Sequence, residues 1–353
     1  MLFNHEEFAD HEQIVFARNP ARDLSAIIAV HSTALGPALG GLRVWPYPNE
    51  AAALTDVLRL AKGMTYKAAI AGIPFGGGKA VILARPGNKT TPELMEAIGV
   101  EIQRLGGRYI TGEDVGTTAT DMAAIRKTTS HVMGMPVELG GSGDPSVNTA
   151  LGCFVGIQAA VEHALGKTTM RDVHVAVQGV GNVGYNLCLQ LAEAGASLTL
   201  SDTNAERLER AAQLFKARSV APHAIYDVEA DVLAPCAVGG IINNAVVPRL
   251  KVRVVAGGAN NQLQAGEHGR ALQARGVLYA PDFVINAGGM IQLSAELTGE
   301  TSAQTESRVR AIGPTLQRLF VRSTADEKPT NDLACELAEE RIRTRRTQNA
   351  TRS

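Results

Sequence analysis

Two lysines, Lys67 and Lys79, stand in apolar, glycine-rich sequence rather than among other charges. A lysine in such surroundings has two readings. It is a solvated side chain on a long stem, or a buried amine whose pKa falls until it can act near neutrality. Ahead of Lys79 come Ile73, Pro74 and Phe75, then Gly76, Gly77 and Gly78, which predict a turn of bare backbone feeding directly into a strand. This is not a phosphate-binding P-loop, because the G-x-x-x-x-G-K-[ST] pattern is missing and Ala80 takes the hydroxyl position. Glu113 and Asp114 end an apolar strand pattern and precede Gly116, Thr117 and Thr118. Here too two readings stay open: an aspartate capping a helix that begins near Thr120, or a general acid and base at the mouth of a cleft.

A second kind of chemistry is written between residues 173 and 202. Val173, Val175 and Val177 have the pattern of a buried strand, and Gly179, Gly181 and Gly184 follow in G-x-G-x-x-G order around Val180, Asn182 and Val183. Val183, Leu187 and Leu191 repeat at helical spacing, Gly195 closes that helix as a left-handed cap, and a second strand ends at Asp202. Strand, glycines, helix, strand and terminal acid in this order describe a dinucleotide-binding unit. Gly179 permits the tight turn, Gly181 lets the backbone approach a pyrophosphate, and Gly184 lets the helix pack on the strand. The free N–H groups at the helix N-terminus face the phosphates. Asp202 would accept from a ribose diol and repel a 2′-phosphate, which favours NAD over NADP. The plainer alternative is a βαβ unit whose glycines only turn the chain.

The elements that position these groups alternate in type. Residues 24–31 read as a buried strand, and Leu39, Gly40 and Gly41 lie in a glycine-bearing connection over 35–43. Asn49 caps a helix with Leu54, Val57, Leu58 and Ala61 as its buried face; Gly63 is expected to end it, just before Lys67. Residues 92–105 form an amphipathic helix, after which the chain enters a strand that ends at Gly112. The glycine-rich stretch 140–145 is the candidate domain boundary, and a helix over 149–163 leads into the dinucleotide unit. Beyond Asp202, strands over 231–237 and 252–260 end in Cys236 and Ala237 and in Asn260 and Asn261. In an open parallel sheet such tips face cofactor and substrate. A further strand over 277–284 reaches Asn286, and Gly288 and Gly289 let a helix carrying Met290 and Leu293 start against a ligand. Leu333, Leu337, Arg341 and Ile342 predict a C-terminal helix whose basic end, residues 341–346, suits its dipole.

Bulk properties narrow the classes. A chain of 353 residues can hold two domains with real cores. Its 34 basic and 35 acidic residues nearly cancel, so nothing favours nucleic acid or a membrane surface. No run of apolar residues suffices to span a bilayer, and the acidic start is unlike a secretory signal. Cys153, Cys188, Cys236 and Cys335 are scattered, as expected of reduced thiols in a cytoplasmic protein. The eight histidines have no metal-ligand spacing, so no metal is expected. Neither His131 nor His268 has an evident carboxylate partner, which weighs against a hydroxy-acid dehydrogenase.

Seven stretches in order carry a resemblance to a known family. They are Gly-Pro-Ala-Leu-Gly-Gly (36–41), Gly-Met-Thr-Tyr-Lys (63–67), Gly-Gly-Gly-Lys-Ala-Val-Ile (76–82) and Glu-Asp-Val-Gly-Thr (113–117). Gln-Gly-Val-Gly-Asn-Val-Gly (178–184), Ala-Asn-Asn-Gln-Leu (259–263) and Ile-Asn-Ala-Gly-Gly (285–289) complete the set. Across nearly its whole length the chain resembles the glutamate/leucine/phenylalanine/valine dehydrogenase family. The resemblance implies an α/β fold: an N-terminal α/β domain for substrate and oligomer contacts (1–140), and a doubly wound Rossmann-type NAD-binding domain (141–330) across a cleft from it. A C-terminal helix (331–353) returns to the first domain.

By the same resemblance Lys67 anchors the substrate α-carboxylate with the backbone of Gly40 and Gly41, Lys79 polarises the 2-oxo group, and Asp114 shuttles protons. Asn261 hydrogen-bonds near the substrate amino group or the nicotinamide. Gly179 to Gly184, Asp202, Cys236, Ala237, Asn260 and Asn286 hold NAD. The implied reaction is reversible oxidative deamination of an L-amino acid to a 2-oxo acid and ammonia, by a homo-oligomer. The implied pocket positions, Leu39, Gly112, Met290 and Leu293, are uncharged, which disfavours glutamate. Gly112 and Leu293 match phenylalanine-type members, where a glycine leaves room for a ring. Leu39 is leucine-like, and Ile73 with Pro74 is similar to the tryptophan-type branch. An aromatic substrate is expected, a branched-chain one is the alternative, and a non-catalytic NAD-binding sensor is the rival from another class.

Overall fold

The computed structural model describes residues 2–8, 10–85, 87 and 90–351. Two compact units account for the chain. One holds the residues up to Gly143 with Leu293–Gly299 and the chain from Ala338 on; the other holds Asp144–Gln292 and Glu300–Leu337.

In the first unit six strands form one mixed sheet: β1 (Gln13–Asn19), β2 (Leu24–Ser32), β3 (Ala38–Leu39), β4 (Leu42–Trp45), β5 (Gly76–Leu83) and β6 (Tyr109–Ile110). β2 pairs antiparallel with β1 and β5, whereas β3 and β4 run parallel to β5. β3 and β4 lie end to end on one edge of β5 in a single register, Ala38 opposite Gly76 and Leu42 opposite Ala80, interrupted at Gly40 and Gly41. Helix α1 (Glu50–Ala71) covers one face, where Val57, Leu58 and Ala61 pack on Ile27, Ala29 and Val81. Helices α2 (Pro92–Arg104) and α3 (Ala119–Arg126) cover the other, packing on Ile28, Val30, Leu42 and Ile82. Side chains alternate along a strand, so Arg43, Lys79 and Val81 belong to the α1 face.

Three local expectations change here. Helix α1 does not stop at Gly63; it runs on to Ala71 and ends where Gly72 takes φ 65°. A glycine inside a helix costs only about 1 kcal/mol, and Thr65, Tyr66, Ala69 and Ile70 continue the buried face beyond it. Gly76, Gly77 and Gly78 form no turn but lie within β5, because the chain is packed too tightly there for side chains. A Cβ would stand 1.8 Å from the Ser32 carbonyl oxygen at Gly76, 2.0 Å from the Thr65 nitrogen at Gly77 and 2.8 Å from the Tyr109 ring at Gly78. Finally, α3 is capped by Thr118 in a reciprocal box with Asp121, so Asp114 is not its cap.

The second unit is doubly wound. Its strands β7 (His174–Gln178), β8 (Ser197–Ser201), β9 (Arg218–Ser219), β10 (Val232–Pro235), β11 (Val254–Val255) and β12 (Leu278–Tyr279) are all parallel, in the order β12-β11-β10-β7-β8-β9. Helices α4 (Ser146–Leu165), α5 (Asn182–Glu193), α6 (Ala205–Phe215) and α7 (Glu267–Ala274) lie within the same stretch of chain. The strand expected over 277–284 is cut to two residues, since Pro281 cannot donate to a ladder and Asp282 opens helix α8 (Asp282–Ile285). Helix α9 (Gly288–Thr298) starts with two glycines because it abuts the first turn of α4. A Cβ would meet the Asn148 carbonyl oxygen at 1.9 Å from Gly288 and Thr149 Oγ1 at 2.6 Å from Gly289.

Helices α10 (Ser302–Arg310), α11 (Ile312–Asp326) and α12 (Thr330–Ala350) follow. From Ala338 on, α12 belongs to the first unit, where the Tyr66 hydroxyl donates to the Glu339 carboxylate. Arg341 Nη1 donates to the carbonyls of Ala69 and Ile70 at 2.8 and 2.9 Å, satisfying the last turn of α1.

Candidate active site

The register of the first sheet builds a charged cluster on its α1 face. β6 pairs with β3 (Ala38 with Tyr109, Leu39 with Ile110), and the same offset continues in the bridge between Leu42 and Glu113. Carried one residue on, it sets Asp114 beside Arg43, and Lys79 is two residues away along the neighbouring edge of β5. Lys79 Nζ lies 3.0 Å from Asp114 Oδ1, and Arg43 Nε donates to Asp114 Oδ2 at 2.8 Å. Arg43 Nη1 reaches in turn to Asp56 Oδ2 of α1 at 2.9 Å, where the Tyr47 hydroxyl also donates at 2.5 Å. Lys79 is 4% exposed, so this lysine is not a solvated side chain.

The two expected catalytic groups thus stand in contact, in low dielectric. Burial lowers the Lys79 pKa, with the Arg43 charge acting the same way, while Asp114 opposes both. Burial alone would raise the Asp114 carboxyl, but the positive charges of Lys79 and Arg43 outweigh it and hold the group below the usual carboxylate range. Tyr109 is enclosed on β6, and its hydroxyl donates to the Gly40 carbonyl at 2.6 Å; burial keeps that phenol protonated. Arg43, Asp56 and Tyr47 escaped the reading of the sequence, which carries no local pattern for them. Only the strand register brings Arg43 to Asp114.

The remaining first-unit candidates lie on or next to the same sheet, on α1 and on α9. A Cβ at Gly40 would stand 1.8 Å from the Gly78 carbonyl oxygen, and one at Gly41 would stand 2.4 Å from the Glu113 carbonyl oxygen, so backbone alone fits there. The Met64 side chain lies against Gly40. Lys67, three residues on, is on the same face of α1 and is half-buried. Leu39 has no exposed surface and can shape a pocket only from behind. At Gly112 the missing side chain does not leave open room: a Cβ would meet Met133 Cε and Cγ at 3.1 and 3.2 Å. Nothing in the sequence around Met133 signals this contact. Leu293 Cδ2 lies by Gly134.

In the second unit the glycines have the geometry of a phosphate-binding turn. Gly179 takes φ 90° with Ala237 Cβ 2.7 Å from where its own would be, and a Cβ at Gly184 would lie 1.9 Å from the Gly179 carbonyl oxygen. Gly181 opens outward: a Cβ there would meet only Arg207 Nη1, at 3.7 Å. Helix α5 starts at Asn182, and its first-turn N–H groups, Val183 among them, point to that opening. A pocket of about 250 Å3 lies here, lined by Val180, Gly181, Asn182, Arg207 and Arg210. Asp202 closes β8, and its carboxylate accepts from the Val180 and Asn204 N–H groups at 2.8 Å each.

At the other strand ends Asn286 Nδ2 donates to Asn260 Oδ1 at 2.8 Å and to the Gly258 carbonyl at 3.1 Å, whereas its buried Oδ1 has no partner. An orphaned acceptor at these strand ends, next to Gly258, which in turn abuts Val183 of α5, suits the carboxamide of a nicotinamide dinucleotide, so these residues fit that cofactor. Asn261 is exposed and left-handed, φ 51°. Met290 is buried in the first turn of α9.

Other chemistries find little here. Among the described residues no carboxylate meets the ring of His131 or His268; His131 lies over Gly107, and His268 Nδ1 faces the Ala265 backbone. No disulfide joins the four cysteines, and burial pushes the Cys236 thiol up to about 11, far from a thiolate. Among the described residues no group of three or more His, Cys, Asp or Glu side chains could hold a metal ion, and no helix is long and apolar enough to cross a membrane.

Residues 11–131 match the family model described as Glu/Leu/Phe/Val dehydrogenase, dimerisation domain. Residues 140–206 and 202–324 match that of Glutamate/Leucine/Phenylalanine/Valine dehydrogenase. The chain is 47% identical over 345 residues to leucine dehydrogenase of Geobacillus stearothermophilus, covering 98% of this chain and 94% of that one. It is 45% identical over 345 residues to phenylalanine dehydrogenase of Caldalkalibacillus thermarum (strain TA2.A1), covering 96% and 93%. It is also similar to the crystal structure of L-tryptophan dehydrogenase from Nostoc punctiforme, with a TM-score of 0.85 and 43% identity over 98% of this chain and 100% of that one.

Proposed function

Since the chain belongs to the Glu/Leu/Phe/Val dehydrogenase family, and so is an amino-acid dehydrogenase acting on CH–NH2 donors, we propose that it deaminates an apolar L-amino acid, reversibly and with NAD. The observation that carries this reading is the enclosed Lys79–Asp114 pair beside the bare backbone of Gly40 and Gly41. Val180 to Gly184, Asp202, Cys236, Ala237, Asn260 and Asn286 would hold the dinucleotide. Bound there, NAD supplies the acceptor for the α-hydride. The buried charge of Asp202 at the end of β8 favours a ribose diol over a 2′-phosphate.

The chain's own residues then have distinct tasks. Lys67, with the Gly40 and Gly41 backbone, holds the α-carboxylate and so fixes the Cα. Once the amino acid has become an iminium, a water adds to the carbon and gives a proton to Asp114. Asp114 passes that proton to the amino group, and as ammonia leaves Asp114 takes the remaining proton of the hydroxyl, so that the oxygen becomes the 2-oxo group and the second proton goes on to solvent. Lys79 faces the oxygen on which negative charge develops and stabilises it as a cation fixed before the reaction. The lowered Lys79 pKa brings its ammonium closer to exchange with the amine in mildly alkaline solution, and the lowered Asp114 pKa keeps that group a carboxylate able to accept a proton.

Leu39, Gly112, Met290 and Leu293, assigned to the substrate side chain, are all uncharged, which supports an apolar substrate. Phenylalanine is the first choice: with no side chain at residue 112, the wall there is the thioether of Met133, which can rearrange around a ring. Leucine or valine is the second, favoured by Leu39 and by the leucine dehydrogenase relative. Initial rates of reductive amination decide between them. We expect kcat/KM for phenylpyruvate above that for 4-methyl-2-oxopentanoate; the reverse order would replace the aromatic reading by the branched-chain one. Because the model matched by residues 11–131 is described as a dimerisation domain, we also infer a homo-oligomer formed through the first unit. A monomer by light scattering would refute that assembly.

A further inference from the structure

We propose that Arg43, held from behind by Asp56 and Tyr47, is a positioning residue that sets the pH at which the Lys79–Asp114 pair works. The inference rests on the catalytic reading of that pair. Arg43 is a fork between two carboxylates: Nε donates to Asp114 at 2.8 Å and Nη1 to Asp56 at 2.9 Å, and the side chains of all three are between 16% and 29% exposed. Tyr47 places its hydroxyl on the same Asp56 oxygen that Arg43 uses. A planar guanidinium held at both ends cannot drift, so its charge has a fixed distance from Asp114.

Two elements thus converge on Asp114, β5 through Lys79 and β4 through Arg43, while α1 holds Arg43 from behind through Asp56. Asp114 then has two positive neighbours for one negative charge, and its two oxygens are shared between them, Oδ1 to Lys79 and Oδ2 to Arg43. The other ionisable groups around the cluster are Lys67 on α1, Glu113 beside Asp114, and Tyr109 on β6. Tyr109 stays a neutral phenol.

The sign of the effect follows from the charges. Arg43 favours the deprotonated form of both partners, Lys79 as the amine and Asp114 as the carboxylate. Removing its charge raises both, so the pH profile moves to higher pH. Asp56 acts in the opposite sense: it raises Lys79 and draws part of the Arg43 fork away from Asp114. Neutralising Asp56 therefore moves the profile to lower pH. A fork that merely braced the sheet would weaken on either substitution without giving opposite shifts.

The test is the pH dependence of kcat/KM for oxidative deamination, from about pH 6 to 11, for the wild type, Arg43→Met, Arg43→Lys and Asp56→Asn. A unit charge within several ångströms moves a pKa by about 1–3 units. Arg43→Met removes the whole Arg43 charge and leaves Asp56 negative, so we expect its profile about 1 unit higher, with Arg43→Lys returning at least half of the way. Asp56→Asn should lie about 0.3–0.5 unit lower, and it serves by itself if Arg43→Met does not fold. Profiles that superimpose after scaling, or that shift in the same direction for Arg43→Met and Asp56→Asn, would overturn the proposal while leaving the dehydrogenase reading intact. A folded wild type with no turnover of any apolar L-amino acid would overturn both.

Discussion

Asp114→Asn is the most informative single change, because it removes charge and leaves shape. In the wild type a unit-charge pair at 3.0 Å is worth about 5–6 kcal/mol at an effective dielectric near 20. Not all of that is lost. The amide keeps one oxygen as an acceptor, and Lys79 can shed its proton rather than remain as an unpaired cation. The expected destabilisation is about 3 kcal/mol, the low end for breaking a buried pair, or a fall of about 6–12 °C in the melting temperature. Loss of the proton carrier lowers kcat by about 100- to 10,000-fold. In the proposed roles Lys67 and the glycine backbone still hold the carboxylate, so KM should change by less than about threefold.

The pH dependence of stability gives an independent check. Without its counter-charge the Lys79 pKa falls further below the unfolded value, near 10.4. Between the two values the unfolded chain binds more protons than the folded one, so stability rises with pH, more steeply in the variant than in the wild type. Thermal melts from pH 7 to 10 with steady-state kinetics on the same samples measure all of this. A variant that keeps more than a tenth of the wild-type kcat at every pH, with an unchanged melting temperature, would refute the reasoning.

Three further outcomes follow. Acid should act through Asp114: its folded pKa is depressed, so its contribution is present above the unfolded value near 3.9 and is lost as pH falls through the folded one. A wild-type acid transition that Asp114→Asn leaves unaltered would contradict this. Gly40→Ala should unfold or aggregate the protein, since its Cβ would stand 1.8 Å from the Gly78 carbonyl oxygen; a soluble variant with normal melting would be evidence against the close approach of β5. Gly184→Ala pushes α5 away from Gly179 by the same kind of clash and should weaken NADH binding at least about tenfold. Calorimetric titration that finds unchanged affinity would show that this turn does not hold the cofactor.

How much of this was legible in the sequence depended on distance along the chain. The second unit was readable because its parts are contiguous: β7, the three glycines, α5, β8 and Asp202 lie within about thirty residues. Lys79 and Asp114 were visible as candidates, but whether Asp114 capped a helix or did chemistry turned on Thr118, which caps α3 instead. Gly63 reads as a helix end in the sequence, because its tolerance inside α1 depends on the buried residues that follow it. The glycines at 76–78 read as a turn because what they accommodate, Ser32, Thr65 and Tyr109, comes from elsewhere in the chain. Arg43 had no signal at all. Its partners Asp56 and Asp114 reach it through the register of three strands and the packing of α1, and no local pattern encodes a register. Met133 was hidden for the same reason, since only the fold places it against Gly112.

The most direct test of the central claim is ammonia-dependent oxidation of NADH. The purified protein would be given NADH with phenylpyruvate or 4-methyl-2-oxopentanoate, with and without ammonium, beside Lys79→Ala. We predict turnover that requires both the 2-oxo acid and ammonium, and that falls by about 100- to 1,000-fold when the Lys79 cation is removed. A protein that binds NADH yet shows no ammonium-dependent turnover with either acid, or a Lys79→Ala variant as active as the wild type, would contradict the account.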